Sequence, residues 1–316
     1  MGGKLNIIYI TARENSRFEW FADSLIKQCN GNFDNIKVIV ISRHLWYNQK
    51  SEYFSKHLKP FSKVVIIPPK PSVWAGLNRL TSEDWFSAAS SRNSALCHCE
   101  NGYAVYCDDL AVLLPGWLDR VKAAMDGGYI ACGKYQKVKD LVVENGEVKS
   151  FTDYPQGHDS RAKFALSPLQ PCADGGWLFG CSCVMPVEAL LTIGGWTEFV
   201  DGMGSEDQMT GLTLQNAGFK MFYDQKMLTY ESEELHHVEP ALGRTDKGVS
   251  PDDKSHRALN IVLSGQKFFD NYVQGGMRTI REKVLKGEPF PNIGQPLHDW
   301  YDGCRIQDMT ATPKPK

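Results

Sequence analysis

Two pairs of adjacent acids, Asp108-Asp109 and Glu206-Asp207, sit where a folded chain can turn charge into chemistry. The first pair ends the apolar run 104–107 (AVYC), a composition that favours a buried strand. Carboxylates at the C-terminal end of such a strand lie where open α/β sheets place their ligands. Their hard oxygens suit Mg2+ or Mn2+, and such an ion would hold a diphosphate. The competing role is capping of the strand or the next turn, which Asp also favours. The second pair follows Gly204-Ser205 and opens a helix. Acids are favoured there by the macrodipole and by capping alone, but a carboxylate so placed is also a candidate general base.

Positioning the first pair requires a sheet, and the preceding chain has the pattern of one. Residues 5–10 (LNIIYI), 36–41 (IKVIVI) and 63–67 (KVVII) are apolar runs stopped by Thr11-Ala12-Arg13, Ser42-Arg43 and Pro68-Pro69. Residues 14–29 place Phe18, Phe21, Leu25 and Ile26 at helical spacing. Strand, helix, strand, linker, strand predicts a parallel sheet with right-handed crossovers. Residues 74–85 read as loop, and 82–100 as a helix carrying Ser91-Arg92-Asn93 toward the strand at 103–107. Neither GxGxxG nor GxxxxGK[ST] follows the first strand, which counts against a dehydrogenase or a P-loop enzyme.

Beyond residue 129 the pattern changes. Strands are predicted at 129–137 and 175–185, and a hairpin across Asn145-Gly146 joins 141–143 to 148–151. The polar stretch 152–163 (TDYPQGHDSRAK) reads as a mobile lid. A short helix at 186–193 ends at Gly194, and one at 208–217 ends at Gly218. A strand at 220–223 and helical stretches at 255–269 and 278–286 complete the reading. Lys134, Lys137, Lys139, Lys149, Arg161 and Lys163 form a solvated hairpin surface or a basic rim for a polyanionic acceptor.

Composition sets the outer bounds. The chain has 316 residues, 42% hydrophobic, enough for a substantial core. A net charge of −2 gives no global attraction to nucleic acid or anionic membranes. No apolar run approaches a membrane span, and nine scattered cysteines read as reduced thiols, so the expected location is cytoplasmic. Cys97-His98-Cys99 and Cys181-Ser182-Cys183 lack the spacing of zinc knuckles.

Three separated pieces, taken in order, carry a resemblance. They are Ser91-Arg92-Asn93; Cys107-Asp108-Asp109 followed by Pro115-Gly116-Trp117-Leu118; and Gly194-Gly195-Trp196-Thr197-Glu198 followed by Gly204-Ser205-Glu206-Asp207. The set resembles the GT-A glycosyltransferases, especially the family 2 type, over roughly residues 5–225. The resemblance implies an α/β fold with a Rossmann-like nucleotide-binding half and a mixed central sheet, an acceptor-side half and a C-terminal helical extension. In this chain these would be a catalytic domain at 1–265 and the extension and tail at 266–316. The domain divides into 1–120 and 121–265, with an insertion at 129–165.

The resemblance also implies roles. A sugar would pass from a UDP- or GDP-linked donor to an acceptor hydroxyl with inversion, assisted by Mn2+ or Mg2+. Thr11, Arg13, Arg92, Asp108 and Asp109 would hold the donor. Asp109 would bind the metal with Asp108 on the ribose, or the reverse; Leu110 stands where a third acid is common. Adjacent strand residues face opposite ways, so the two acids are not a simple side-by-side ligand pair. His237, ahead of His236 and His256, would complete the site. Asp207 would be the base, with Glu206 orienting the acceptor or shaping the helix start. Trp177, Trp196 and Gly195 would meet the acceptor, the tryptophans having core burial as their competing role. Arg43 replaces an acid common after the second strand, which leaves base recognition open. The acceptor is a soluble glycan, a protein or a hydroxylated DNA base. The alternatives are a nucleotidyltransferase and a non-catalytic sugar- or nucleic-acid-binding module.

Overall fold

The computed structural model describes residues 3–48, 52–69, 88–198, 205–238, 277–279 and 281–287. The first half runs β1 (Lys4–Ile10), α1 (Phe18–Cys29), β2 (Ile36–Ile41), α2 (Arg43–Tyr47), α3 (Glu52–Leu58), β3 (Lys63–Ile67), α4 (Ala88–His98), β4 (Gly102–Asp108), β5 (Ala111–Leu113) and α5 (Trp117–Gly127). It continues with β6 (Ile130–Glu144), β7 (Glu147–Thr152), β8 (Leu169–Pro171), β9 (Ser182–Pro186), α6 (Val187–Ile193), α7 (Glu206–Asn216), β10 (Met221–Ser232) and α8 (Glu233–Val238).

Among the described residues one sheet has the order β3-β2-β1-β4-β9-β6-β10-β5, with β7 on β6 and β8 on β10. The strands β1 to β4 are parallel, as the apolar runs predict. Antiparallel β9 then joins β4 to β6, and β6 lies parallel to β10, which makes the sheet mixed. Strand alternation divides the core in two. Ile8, Ile10, Ile39, Ala104 and Tyr106 pack with α4, α6 and α7 on one face. Ile7, Tyr9, Val38, Val105 and Cys107 pack with α1 and α5 on the other. Each fully buried valine or isoleucine among them contributes about 1.5–3 kcal/mol. The central strands therefore form a rigid base for whatever lies at their ends.

Several expectations are corrected. The strand expected at 175–185 begins only at Ser182; Gly175–Trp177 is a 3-10 turn instead. Asp174 caps that turn by accepting from Gly176 N at 2.8 Å, and Gly175 lies against Gly211 so closely that a Cβ would meet the Gly211 carbonyl oxygen at 2.3 Å. Backbone-to-backbone packing replaces a pleat there. The strand expected at 220–223 extends to Ser232, with a register shift between Asp224 and Leu228. The stretch 152–163 is not a free lid: Asp159 and Arg161 are buried.

Residues 277–279 and 281–285 are helical. Met277 enters the core, and Arg281 donates to Cys99 O at 2.9 Å and to Asn101 Oδ1 at 2.6 Å. The loop expected at 74–85, the helix at 255–269, His256 and the side chain of His237 lie outside the described residues. No helix among the described residues is long and apolar enough to cross a membrane.

Candidate functional site

The site grows from α4, which is buried on every side from Ala89 to Cys97. A helix sunk this deeply carries Arg92 with it, to 2% exposure. A buried guanidinium must be paired. Arg92 donates through Nη2 to Asp108 Oδ1 at 3.1 Å and through Nη1 to Glu206 Oε1 at 2.9 Å. Its planar face lies 4.7 Å from the Trp196 ring centroid. One guanidinium thus joins the two acid pairs, one at the end of β4 and the other in the first turn of α7.

Asn93, the next residue, fixes the turn at 194–198. Its Nδ2 donates to Trp196 O at 2.9 Å and to Glu198 Oε1 at 2.7 Å, and its Oδ1 accepts from Trp196 N at 2.7 Å. Gly195 has φ +97, and a Cβ there would approach Asn93 Oδ1 to 2.4 Å, so glycine is required for this contact. Gly195 therefore serves the turn. Trp196 is corrected likewise: it is fully buried, edge-on to Tyr106 at 4.9 Å, and supports Arg92 instead of offering a face to an acceptor.

Asp108 and Asp109 diverge, as adjacent strand residues must. Asp108 turns to Arg92, whereas Asp109 Oδ2 accepts from Thr11 Oγ1 at 2.5 Å and pairs with Arg13 Nε at 3.2 Å. Thr11 and Arg13 leave the end of β1, the neighbour of β4. Partial burial pushes the Asp108 carboxyl up to about 6, with Arg92 pulling against it and Glu231 and Asp109 adding to it. Burial raises Asp109 as well, opposed chiefly by Arg13. Leu110, in the place of a third acid, is buried with φ 59; its N–H donates to Ser16 O and its carbonyl accepts from Ser232 N.

Asp207 is held by two amides. Its Oδ1 accepts from Gln208 N at 2.8 Å and its Oδ2 from Gly180 N at 3.2 Å. Burial, then the neighbouring Glu206 charge, raises its pKa above the ordinary carboxylate value. A carboxylate that is partly desolvated beside a second acid is suited to accept a proton.

Glu231, near the end of β10, escapes a reading of the sequence. It is buried, and its Oε1 has no hydrogen-bond partner among the described residues. Its Oε2 lies 3.4 Å from His236 Nε2, while His236 Nδ1 lies 3.4 Å from Arg13 Nη2. The sequence signal is strand alternation: Met227, Thr229 and Glu231 share a buried face, but TYESEE looks like an acidic surface. Among the described residues no three His, Cys, Asp or Glu form a metal cage. A Mg2+ or Mn2+ ion shared with a diphosphate needs only one or two protein carboxylates, however. The hard oxygens of Asp108 or of Asp109, which turn to different arginines, are of the type such an ion takes, one acid at a time.

Trp177 is half-buried and edge-on to Tyr223 at 5.4 Å. A cavity of about 530 Å3 opens beyond the ends of β1 and β2, lined by Glu14, Ser16, His44, Leu45, Asn48 and Tyr53.

Solved structures with this architecture include glycosyltransferases of the GT-A fold. GalNAc-T7 with UDP, GalNAc and Mn2+ aligns with a TM-score of 0.53 at 10% identity, over 99% of this chain and 58% of that one. S. aureus TarS 1–349 in complex with UDP-GlcNAc aligns with a TM-score of 0.53 at 13% identity, over 98% of this chain and 82% of that one. TarS 1–349 without the sugar nucleotide in its description gives 0.51 at 12% identity, over 98% and 78%. The chain thus spans little more than half the length of GalNAc-T7. No protein-family model and no curated protein sequence matches it.

Proposed function

We propose that this GT-A-fold chain moves a sugar from a UDP-linked donor to an acceptor hydroxyl with inversion, and that Asp207 is the general base. The observation that carries the reading is the Arg92 bridge. Asp108 and Glu206, the latter next to Asp207, share this one guanidinium although they come from distant parts of the sequence. GalNAc-T7 and TarS are described with UDP and with UDP-GlcNAc, which favours a UDP-linked donor here.

In this reading the cavity beyond β1 and β2 receives the nucleoside end, and Thr11 and Arg13, which hold Asp109, bind the donor. Arg92 supplies fixed positive charge where the nucleoside diphosphate departs. Asp109, with His237 completing the site and Asp108 on the ribose, or Asp108 with the roles reversed, would hold Mn2+ or Mg2+, which when bound supplies Lewis-acid stabilisation to the diphosphate. Asp207 takes the acceptor proton, and Glu206, held by Arg92, orients the acceptor. Trp177 lines the acceptor side, and the enzyme works in the cytoplasm, where its eight described cysteines stay as thiols. The acceptor is a soluble glycan, a protein or a hydroxylated DNA base.

A screen of sugar nucleotides by nucleotide release, with Mn2+ and with Mg2+, tests the proposal. Release from UDP-sugars, abolished by EDTA and restored by metal, is the expected result. Leu110 in the third-acid position is the observation that favours a non-catalytic binding module. Donor binding by calorimetry without release under any condition would establish that second reading.

A further inference from the structure

Residues 177–180 lie between two buried arginines. On one side, Arg161 Nη1 donates to Trp177 O at 2.5 Å, and the Arg161 guanidinium stacks 4.1 Å from the Phe179 ring centroid. On the other side, a Cβ at Gly180 would come within 2.2 Å of the Arg92 guanidinium carbon. Between them the Gly180 N–H donates to Asp207 Oδ2 at 3.2 Å.

Arg161 is itself fixed. Its Nε and Nη2 donate to Asp159 at 2.9 and 2.6 Å, and Nη2 also donates to Gly133 O at 2.7 Å. Asp159, fully buried, accepts from Tyr223 Oη at 3.0 Å. The anchor therefore ties together β6, β10 and the segment that runs into β9.

We propose that Arg161 is a positioning residue, acting through Phe179 and Gly180 to hold a backbone amide against Asp207. This rests on Asp207 being the base. Of the two amides on Asp207, that of Gln208 moves with α7 itself, so Gly180 is the hold that comes from another element. The charged groups facing Asp207 are Glu206 on its own helix and Arg92 from α4. Residues 177–180 bring no charge, only the amide, and an amide donating to a carboxylate favours its ionised form. A shift of the segment would weaken that contact and misplace the base.

Arg161→Lys keeps the charge and removes the fork, whereas Phe179→Leu removes the stacked face and leaves the ion pair. The Gly180 amide nitrogen shift, followed against pH in the full chain, reads the contact without any substrate. In the parent the shift titrates, and the titration disappears in Asp207→Asn. In both variants the titration is expected to move to higher pH and to shrink. UDP affinity with Mn2+ is unchanged, and kcat for nucleotide release falls by about tenfold or more at unchanged donor KM. If Arg161→Lys does not fold, Phe179→Leu decides by the same readouts. An unaltered Gly180 titration with unaltered kcat in a folded variant overturns the inference and leaves the base assignment standing. Full turnover in Asp207→Asn overturns both.

Discussion

Arg92 and Arg161 are both buried, both stack on an aromatic ring and both bind carboxylates, yet their surroundings differ in kind. Arg161 binds a fully buried acid two residues away in sequence, and its other donors go to backbone carbonyls of Trp177 and Gly133. It is a closed knot with nothing left for a ligand. Arg92 binds acids that are 16 and 114 residues away, and the side chain of Asp108 is 34% exposed. Its Nε is buried without a hydrogen-bond partner among the described residues. The difference shows that burial of an arginine does not by itself mark a site. Arg92 differs in that its partner acids come from separate elements and one of them, Asp108, reaches solvent.

Substitution can sharpen the contrast. Arg92→Met leaves two carboxylates with an unfilled socket, and Arg161→Met leaves one. Each loss of a buried partner is expected to destabilise the fold by about 3–5 kcal/mol, read by urea denaturation. Only Arg92→Met should also abolish UDP binding by the folded fraction. Equal loss of UDP binding in both would erase the distinction.

A smaller effect is expected at Gly195, which supports Arg92 indirectly through Asn93 and Trp196. Gly195→Ala forces a Cβ toward Asn93 Oδ1 at positive φ and should cost about 1–3 kcal/mol in the same denaturation experiment. No such cost is expected for Gly218→Ala on contact grounds, since a Cβ there meets nothing within 4 Å; with φ +88, only the backbone term of about 1 kcal/mol remains.

The mildest probe is pH. The Asp207 carboxyl titrates above its ordinary range because burial and Glu206 disfavour its charge. A base works only when deprotonated, so kcat/KM should fall as pH drops through that raised value, and this acid limb should vanish in Asp207→Asn. A limb unchanged by the substitution would belong to another group.

How far the sequence discloses this molecule varies by region. The strands β1 to β4 are legible because each is a continuous apolar run bounded by polar or proline residues; β1, β2 and β4 are largely buried on both faces, and β3 at the sheet edge is half-buried. The Asp108, Arg92 and Glu206 cluster is legible only through the order of motifs, since no local pattern tells which distant acids one guanidinium will join. The Asp159–Arg161 knot is hidden. Two charges in a polar stretch look solvated, and their burial depends on Phe179, Tyr223 and Tyr135 brought in by β6, β10 and the chain before β9. Trp177 and its glycines suggest a strand because side-chain patterning cannot register the backbone contact between Gly175 and Gly211. Glu231 is hidden for the opposite reason: its neighbours Glu233 and Glu234 make it look like part of a solvated acidic run.

Nucleotide release from UDP-sugars by Asp207→Asn, measured beside UDP binding by calorimetry, tests the proposed donor site and its base together. The expected result is UDP affinity close to that of the parent with release slowed about 10²–10⁴-fold. Release at the parent rate, with the variant folded and binding UDP, would contradict it.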